Sequence, residues 1–375
     1  MAVRAADPVC SRELAYHRRK SRNAVARPFI LSPAHIRPPG PPIHIRSAPA
    51  KVSRQPDVES PSMVNLADIR AAAERIAPHV RRTPLLPAPA ISERLGRPAY
   101  LKPEFWQDTG SFKVRGAANY FLAATGVGPV ITASTGNHGQ AVARMAQRLG
   151  VRAVVAVPEG TPQAKVGGIR RFGAELREIA GGYDAAHAVA LEMAAAEGLR
   201  YVPAFEDDVI IAGQGTIGLE IARDLPDVAE VFVPVGGGGL AAGIGAALAE
   251  AAPACRLRGA QSVLTPGMAR SLAAGAPVAV PEPPTLCDGL AGGIDALTLG
   301  YAERFLNGID LVEETEVAAA MCLLALEERW IVEGSAAVAL AAALRSPVRG
   351  GPVVVVLTGR NVDGTTHSRI LAEAT

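Results

Sequence analysis

One lysine, Lys113, stands in the run DTGSFKVRGAANYF (108 to 121) among Gly110, Ser111, Phe112, Gly116 and two alanines. A helix is expected to begin there, with Ser111 placed near its start. An amine kept close to apolar groups and a helix N-terminus has its charged form disfavoured, and a neutral amine attacks carbonyl carbon. Taken alone, the residue also reads as a surface lysine that snorkels to water.

Three other short turns offer chemistry. GGGGL, 236 to 240, follows the apolar run EVFVPV. Its glycines let backbone amides approach an anion, and the next helix adds its positive end, so it reads as a phosphate cradle. A dinucleotide turn, and with it a nicotinamide-dependent oxidoreductase, competes. That reading lacks an acidic ribose binder, because the next strand, CRLRGAQS, ends in Gln261 and Ser262. STGNHG, 134 to 139, offers Ser134, Thr135, Asn137 and free helix-start amides, which suit a carboxylate; simple helix capping is its plain alternative. LTGR, 357 to 360, puts the neutral hydroxyl of Thr358 at the end of a buried strand. An amine, a phosphate cradle, a carboxylate turn and a hydroxyl for a ring nitrogen are together the needs of pyridoxal phosphate.

Strand and helix signals alternate around these turns, predicting an α/β fold of parallel sheets covered by helices. Strands are expected at PAYLKPE, GPVITAS, VRAVVAVP, AELREIA, EVFVPV, CRLRGAQS and VVVVLTG. Helices are expected at SFKVRGAANYFLAA, HGQAVARMAQRLG, AKVGGIRRFG, GYDAAHAVALEMAAAEG, AAGIGAALAEAAP and TEVAAAMCLLALEERW. In such sheets ligands bind where strand ends turn into helices, which is where the four motifs lie.

The 375 residues, 49% of them apolar, can form a large core, and the length favours two domains. Residues 1 to 62 hold 11 Lys/Arg, 4 Asp/Glu and 10 prolines, and read as a disordered basic extension or an early start codon ahead of MVNLADIRAAAERI. An organellar transit peptide is the competing reading of that leader. The remaining residues hold 27 Lys/Arg and 32 Asp/Glu, an acidic body that argues against nucleic acid. No apolar run is long enough to span a membrane. The cysteines, Cys10, Cys255, Cys287 and Cys322, form no CxxC pair or Cys/His cluster, so a reduced, cytoplasmic setting is expected and a structural zinc site is not.

TPL (83 to 85), TGSFKVRGA, STGNHGQA, AGQGTIGLE (212 to 220), VPVGGGGLAAG, VEGSAA (332 to 337) and LTGRNVD (357 to 363) occur in the order found in the threonine/serine dehydratase and serine racemase family. The chain resembles that family, fold type II of the pyridoxal-phosphate enzymes, from Thr83 to Asp363. PTLCDGLAGGI and the GRN after the last strand look most like its hydroxyectoine-utilisation dehydratase branch.

The resemblance implies two open twisted α/β domains with pyridoxal 5'-phosphate in the cleft between them. A large domain would comprise 63–127 and 208–375, and a small domain 128–207. Lys113 would bond to the cofactor, with Phe112 beside the ring. Asn137 would meet its phenolic oxygen, and the amides of Gly236, Gly237, Gly238, Gly239 and Leu240 its phosphate. Thr358 would face the pyridine nitrogen. Ser134, Thr135, Gly136, Asn137 and His138 would hold the substrate carboxylate. Two roles stay open for Glu333, one near the ring and one structural.

Two departures from the family pattern matter. Thr135 stands where serine racemases have a proton-donating serine; it keeps the hydroxyl and adds a methyl. Gln261 stands where cation-binding relatives have an acidic residue, so no divalent metal site is expected. The implied reaction is β-elimination from a hydroxy amino acid of the L-threonine/L-serine type, giving a 2-oxo acid and ammonia, with Lys113 moving the Cα proton. The hydroxyl of Thr358 cannot strongly stabilise a protonated ring nitrogen, which favours loss of a β-substituent over transamination. The alternatives are a dehydratase for a hydroxyectoine-derived diamino acid, a serine racemase-like enzyme and a non-enzymatic cofactor sensor. A homodimer is implied by the resemblance. Because the chain ends 12 residues after Asp363, an appended regulatory domain and isoleucine feedback are not expected.

Overall fold

The computed structural model describes residues 63–124, 126, 128–161, 163–347 and 349–374. The expectation of a disordered extension over 1–62 lies outside them. In chain order the strands are β1 (Leu86–Pro87), β2 (Ala99–Pro103), β3 (Val130–Ala133), β4 (Ala153–Pro158), β5 (Glu175–Ile179), β6 (Arg200–Tyr201), β7 (Glu230–Pro234), β8 (Arg256–Ser262), β9 (Leu306–Val312) and β10 (Val353–Leu357). One six-stranded sheet has the order β1-β2-β10-β7-β8-β9, and a four-stranded sheet the order β5-β4-β3-β6. Every pairing is parallel except β1 with β2. Parallel neighbours need long crossovers, and helices supply them.

The apolar run VVVVL forms β10, wholly buried inside the larger sheet, as a strand covered on both faces should be. β9 was not legible in the sequence. LNGIDLV carries Asn307, Gly308 and Asp310, residues poor at strand formation, and it is held only along β8. Ser111 does not cap its helix. The helix Lys113–Ala123 follows Phe112 without a side-chain cap. Ser111 pairs instead with Gly359 across an isolated bridge, and its buried hydroxyl has no partner.

The helix carrying Lys113 is fixed from behind. Two residues on, Arg115 is fully buried and meets Glu104 at 2.7 and 2.8 Å and Glu220 at 2.7 and 3.0 Å. Lys102 at the end of β2 joins the cluster, 2.5 Å from Glu220. Glu220 lies on the helix Asp208–Asp224, which opens with Asp207 accepting the amides of Val209 and Ile210. That helix presses against the Lys113 helix through glycine. A Cβ on Gly213 would lie 2.8 Å from both the Arg115 carbonyl oxygen and the Gly116 Cα.

Candidate active site

The four turns open onto one cavity of about 1220 Å³. Phe112, Lys113, residues 134–138, residues 236–240, Glu333 and Thr358 all lie on its wall. The motifs are scattered over 247 positions; the turns at 134, 236 and 358 follow β3, β7 and β10, and Lys113 comes after β2 by way of the short helical turn Glu104–Trp106.

Lys113 is half-buried, and its Nζ donates to the Ala204 carbonyl at 2.9 Å. The same nitrogen lies 5.4 Å from the centre of the Phe112 ring. Desolvation lowers the amine to about 8, against a smaller opposing pull from Glu206. A useful fraction is therefore neutral near physiological pH. Lys165 is the other lysine on this wall, but it is ion-paired with Asp288 at 2.5 Å.

The segment that holds Lys113 also supports the glycine loop. Phe205 lies beneath it, so a Cβ on Gly237 would be 2.6 Å from the ring and one on Gly239 2.9 Å from the Phe205 Cβ. Gly238 has φ +98°, a backbone that side chains rarely adopt. The helix Gly239–Ala251 starts here with no side-chain cap. Among the described residues the amides of 236–240 have no protein acceptor, leaving an anion cradle with its donors free.

The second turn starts the helix Asn137–Leu149. Ser134 Oγ accepts the amides of Gly139 at 2.9 Å and Gly136 at 3.2 Å, so this side chain shapes the loop. His138 is buried, with Nε2 3.2 Å from the Val202 carbonyl, which assigns the proton to that nitrogen. Burial, then Lys113, depresses its imidazole to about 3, so it is neutral. Its ring is engaged, leaving its amide as the group to offer a carboxylate. The Thr135 and Thr358 hydroxyls have no hydrogen-bond partner among the described residues, and Thr358 is buried just after β10.

Glu333 accepts from Asn137 Nδ2 at 2.8 Å. Burial, then Asp288, pushes its carboxyl up to about 7. Asn137 Oδ1 in turn accepts from Asn361 Nδ2 at 2.6 Å. Asn361 was missed as a site residue, although it stands in the quoted LTGRNVD motif. Ala204, Phe205 and Glu206 were missed as well, and nothing in VPAFEDD marks them. Gln261 is occupied at both ends, donating to Val235 O at 3.1 Å and accepting from Ala269 N at 2.9 Å. Among the described residues no three His, Cys, Asp or Glu side chains are grouped to hold a metal ion.

A family described as "Pyridoxal-phosphate dependent enzyme" matches residues 76–359. The chain belongs to the pyridoxal-phosphate dependent enzymes. Among its relatives within them is the L-threonine ammonia-lyase of Geobacter sulfurreducens, 42% identical over 312 residues, which are 81% of this chain and 77% of that one. Among solved structures, the processed form of threonine deaminase isoform 2 from Solanum lycopersicum is 35% identical, with a TM-score of 0.77 over 83% of this chain and 88% of that one. Maize serine racemase is 29% identical, with a TM-score of 0.79 over 84% and 98%. The fold is that of these fold type II enzymes. The cavity suits pyridoxal phosphate: a half-buried amine, a glycine cradle with unpartnered amides and a buried hydroxyl without a partner all face it.

Proposed function

We propose that the protein is a pyridoxal-phosphate dependent ammonia-lyase that eliminates the β-hydroxyl of L-threonine or L-serine as water and, after water adds back to the enamine, releases ammonia and a 2-oxo acid. The observation that carries this reading is Lys113. Its amine is kept free of a hydrogen-bonded carboxylate and shares one cavity wall with the glycine cradle and the Thr358 hydroxyl. The threonine-cleaving relatives support the substrate class.

When bound, the cofactor supplies a conjugated ring that accepts electron density from the substrate's Cα. The amides of Gly236, Gly237, Gly238, Gly239 and Leu240 would hold its phosphate. Phe112 would lie beside the ring, and Asn137 would meet its phenolic oxygen, with Glu333 bracing that amide. Thr358 would offer its hydroxyl to the ring nitrogen. The substrate carboxylate would rest on Ser134, Thr135, Gly136, Asn137 and the His138 amide at the helix start. Lys113 takes the Cα proton; its depressed proton affinity lets it do so near neutrality. The proton that Lys113 has taken balances the one the β-hydroxyl gains as it leaves as water, and hydrolysis of the remaining enamine gives the 2-oxo acid and ammonia.

A second reading has its own observation. Asp184, Glu206 and Glu282 line the same cavity as the partly exposed Tyr183, whose phenol desolvation and then these carboxylates raise to about 12. That side of the cavity suits a substrate with a second, cationic amine, such as a hydroxylated diamino acid. Racemisation is disfavoured by the added methyl of Thr135 at the proton-donor position.

A homodimer is proposed as the working form. Exposed Trp106 and Ile331 flank Trp330, whose ring is 5.8 Å from that of Trp106, an apolar face a second copy would cover. Sedimentation at two protein concentrations tests it. A cytoplasmic setting is proposed from the free thiols Cys255, Cys287 and Cys322. No helix among the described residues is long and apolar enough to cross a membrane.

The test of the reaction is 2-oxo acid release from L-threonine, L-serine, D-serine, 3-hydroxyaspartate and a hydroxylated diamino acid. Turnover of L-threonine or L-serine is the expected result. Turnover confined to the diamino acid selects the second reading, and silence on all of them with cofactor bound rejects both.

A further inference from the structure

Four segments of the chain, at Thr109, Asn137, Glu333 and Asn361, meet through two asparagine amides. The Thr109 carbonyl is backbone and can only accept. The end of Asn361 that meets it at 2.9 Å is therefore Nδ2, whose other hydrogen reaches Asn137 at 2.6 Å. The atom it meets on Asn137 must then be Oδ1, which turns Nδ2 of Asn137 toward Glu333 Oε1, 2.8 Å away. Glu333 takes one of the two hydrogens on that nitrogen, and the other remains for a ligand. Two glycines make room for this chain. A Cβ on Gly110, where φ is +72°, would lie 2.6 Å from Asn361 Oδ1, and one on Gly359 would lie 2.1 Å from Glu333 Oε1.

We infer that Asn361 is a positioning residue: anchored on the Thr109 carbonyl, it fixes which end of the Asn137 amide faces the cofactor's oxygen. The inference rests on the proposed reading of Asn137 as the residue that meets that oxygen. The orientation starts at a backbone atom, so it does not depend on the protonation of Glu333. It also ties the loop that leads into Lys113 to the turn that starts at Ser134.

Asn361→Asp keeps the size and replaces a donor by an acceptor at both contacts. The new carboxylate repels the Thr109 carbonyl and is satisfied only if Asn137 reverses, which presents Oδ1 to Glu333 and withdraws the N–H from the ligand. Asn361→Ala removes more atoms but leaves Asn137 free to turn either way. The experiment titrates pyridoxal phosphate into cofactor-free wild type, Asn361→Asp, Asn361→Ala and Asn137→Ala by absorbance, with each thermal midpoint measured alongside.

The expected result is a loss of affinity on the order of tenfold in Asn361→Asp, the worth of about one hydrogen bond to an ionised group, and a smaller loss in Asn361→Ala. Equal or larger loss in Asn361→Ala is what packing alone would give, and it overturns the inference. Weakened binding in Asn137→Ala with none in Asn361→Asp overturns the inference alone. Unchanged binding in Asn137→Ala overturns the reading of Asn137 and the inference with it. If Asn361→Asp does not fold, Asn361→Ala decides: lower affinity at an unmoved thermal midpoint supports the positioning role, and unmoved affinity ends it.

Discussion

Asn137 and Glu333 lie 196 positions apart and share a hydrogen bond of 2.8 Å on the wall of the cavity that also holds Lys113. The contact joins the turn after β3 to the start of the helix Gly334–Arg345. It places a carboxyl where burial disfavours its charge, and that has a measurable consequence.

The Glu333 carboxyl is raised from about 4.5 to about 7 by burial and Asp288, opposed by Asn137, the Asn361 backbone and Lys165. Between those two values the folded state binds more protons than the unfolded state. The contribution of Glu333 to stability therefore falls as pH rises through that window and stays lost above it. Cofactor-free Glu333→Gln is expected to be more stable than wild type at about pH 8, with the gain shrinking toward about pH 5. Urea midpoints at the two pH values measure it, and a gain independent of pH would contradict the assignment.

Arg115→Met should cost about 3–5 kcal/mol, the usual result of stripping one partner from a buried ion cluster. Glu104 is fully buried and would lose both contacts to the guanidinium. Chemical denaturation of the cofactor-free protein reads this directly. A change below about 1 kcal/mol would mean that the cluster tolerates the gap.

Gly238→Ala puts a methyl 2.7 Å from the Met268 methyl and 2.9 Å from the Thr298 Cβ at φ +98°. The strain, about 1–3 kcal/mol, falls on the cradle itself. Pyridoxal-phosphate affinity should drop by roughly tenfold or more. Gly275→Ala is the control. Its φ of +67° is also strained, but open space surrounds it. It should lower the thermal midpoint and leave cofactor affinity unchanged. Equal affinity losses in the two variants would detach the cradle from cofactor binding.

The larger part of this architecture is readable in the sequence because its determinants are local. VVVV, β-branched throughout, reads as a buried strand, and Gly198 ends its helix with φ +66°. The glycine turn announces itself by composition: Gly238 sits at φ +98°, and a Cβ on Gly237 or Gly239 would strike Phe205. The pieces that escaped the sequence are those whose role is set by a distant partner. β9 has poor strand residues and is held by β8, and Ser111 forms a bridge with Gly359 in place of a cap. Asn361 acts on Asn137 from 224 positions away. Phe205 matters for its place beneath the glycines, which no local pattern encodes.

Lys113 is proposed as the residue that bonds to the cofactor, and the chain makes this easy to examine because it holds only five lysines, at 20, 51, 102, 113 and 165. The measurement is borohydride reduction of the cofactor-loaded protein followed by peptide mass mapping. The cofactor-derived mass should be found on Lys113 alone, and Lys113→Ala should neither be labelled nor release 2-oxo acid from L-threonine. A label on Lys165, which shares the cavity wall, or unimpaired turnover by Lys113→Ala would contradict the account.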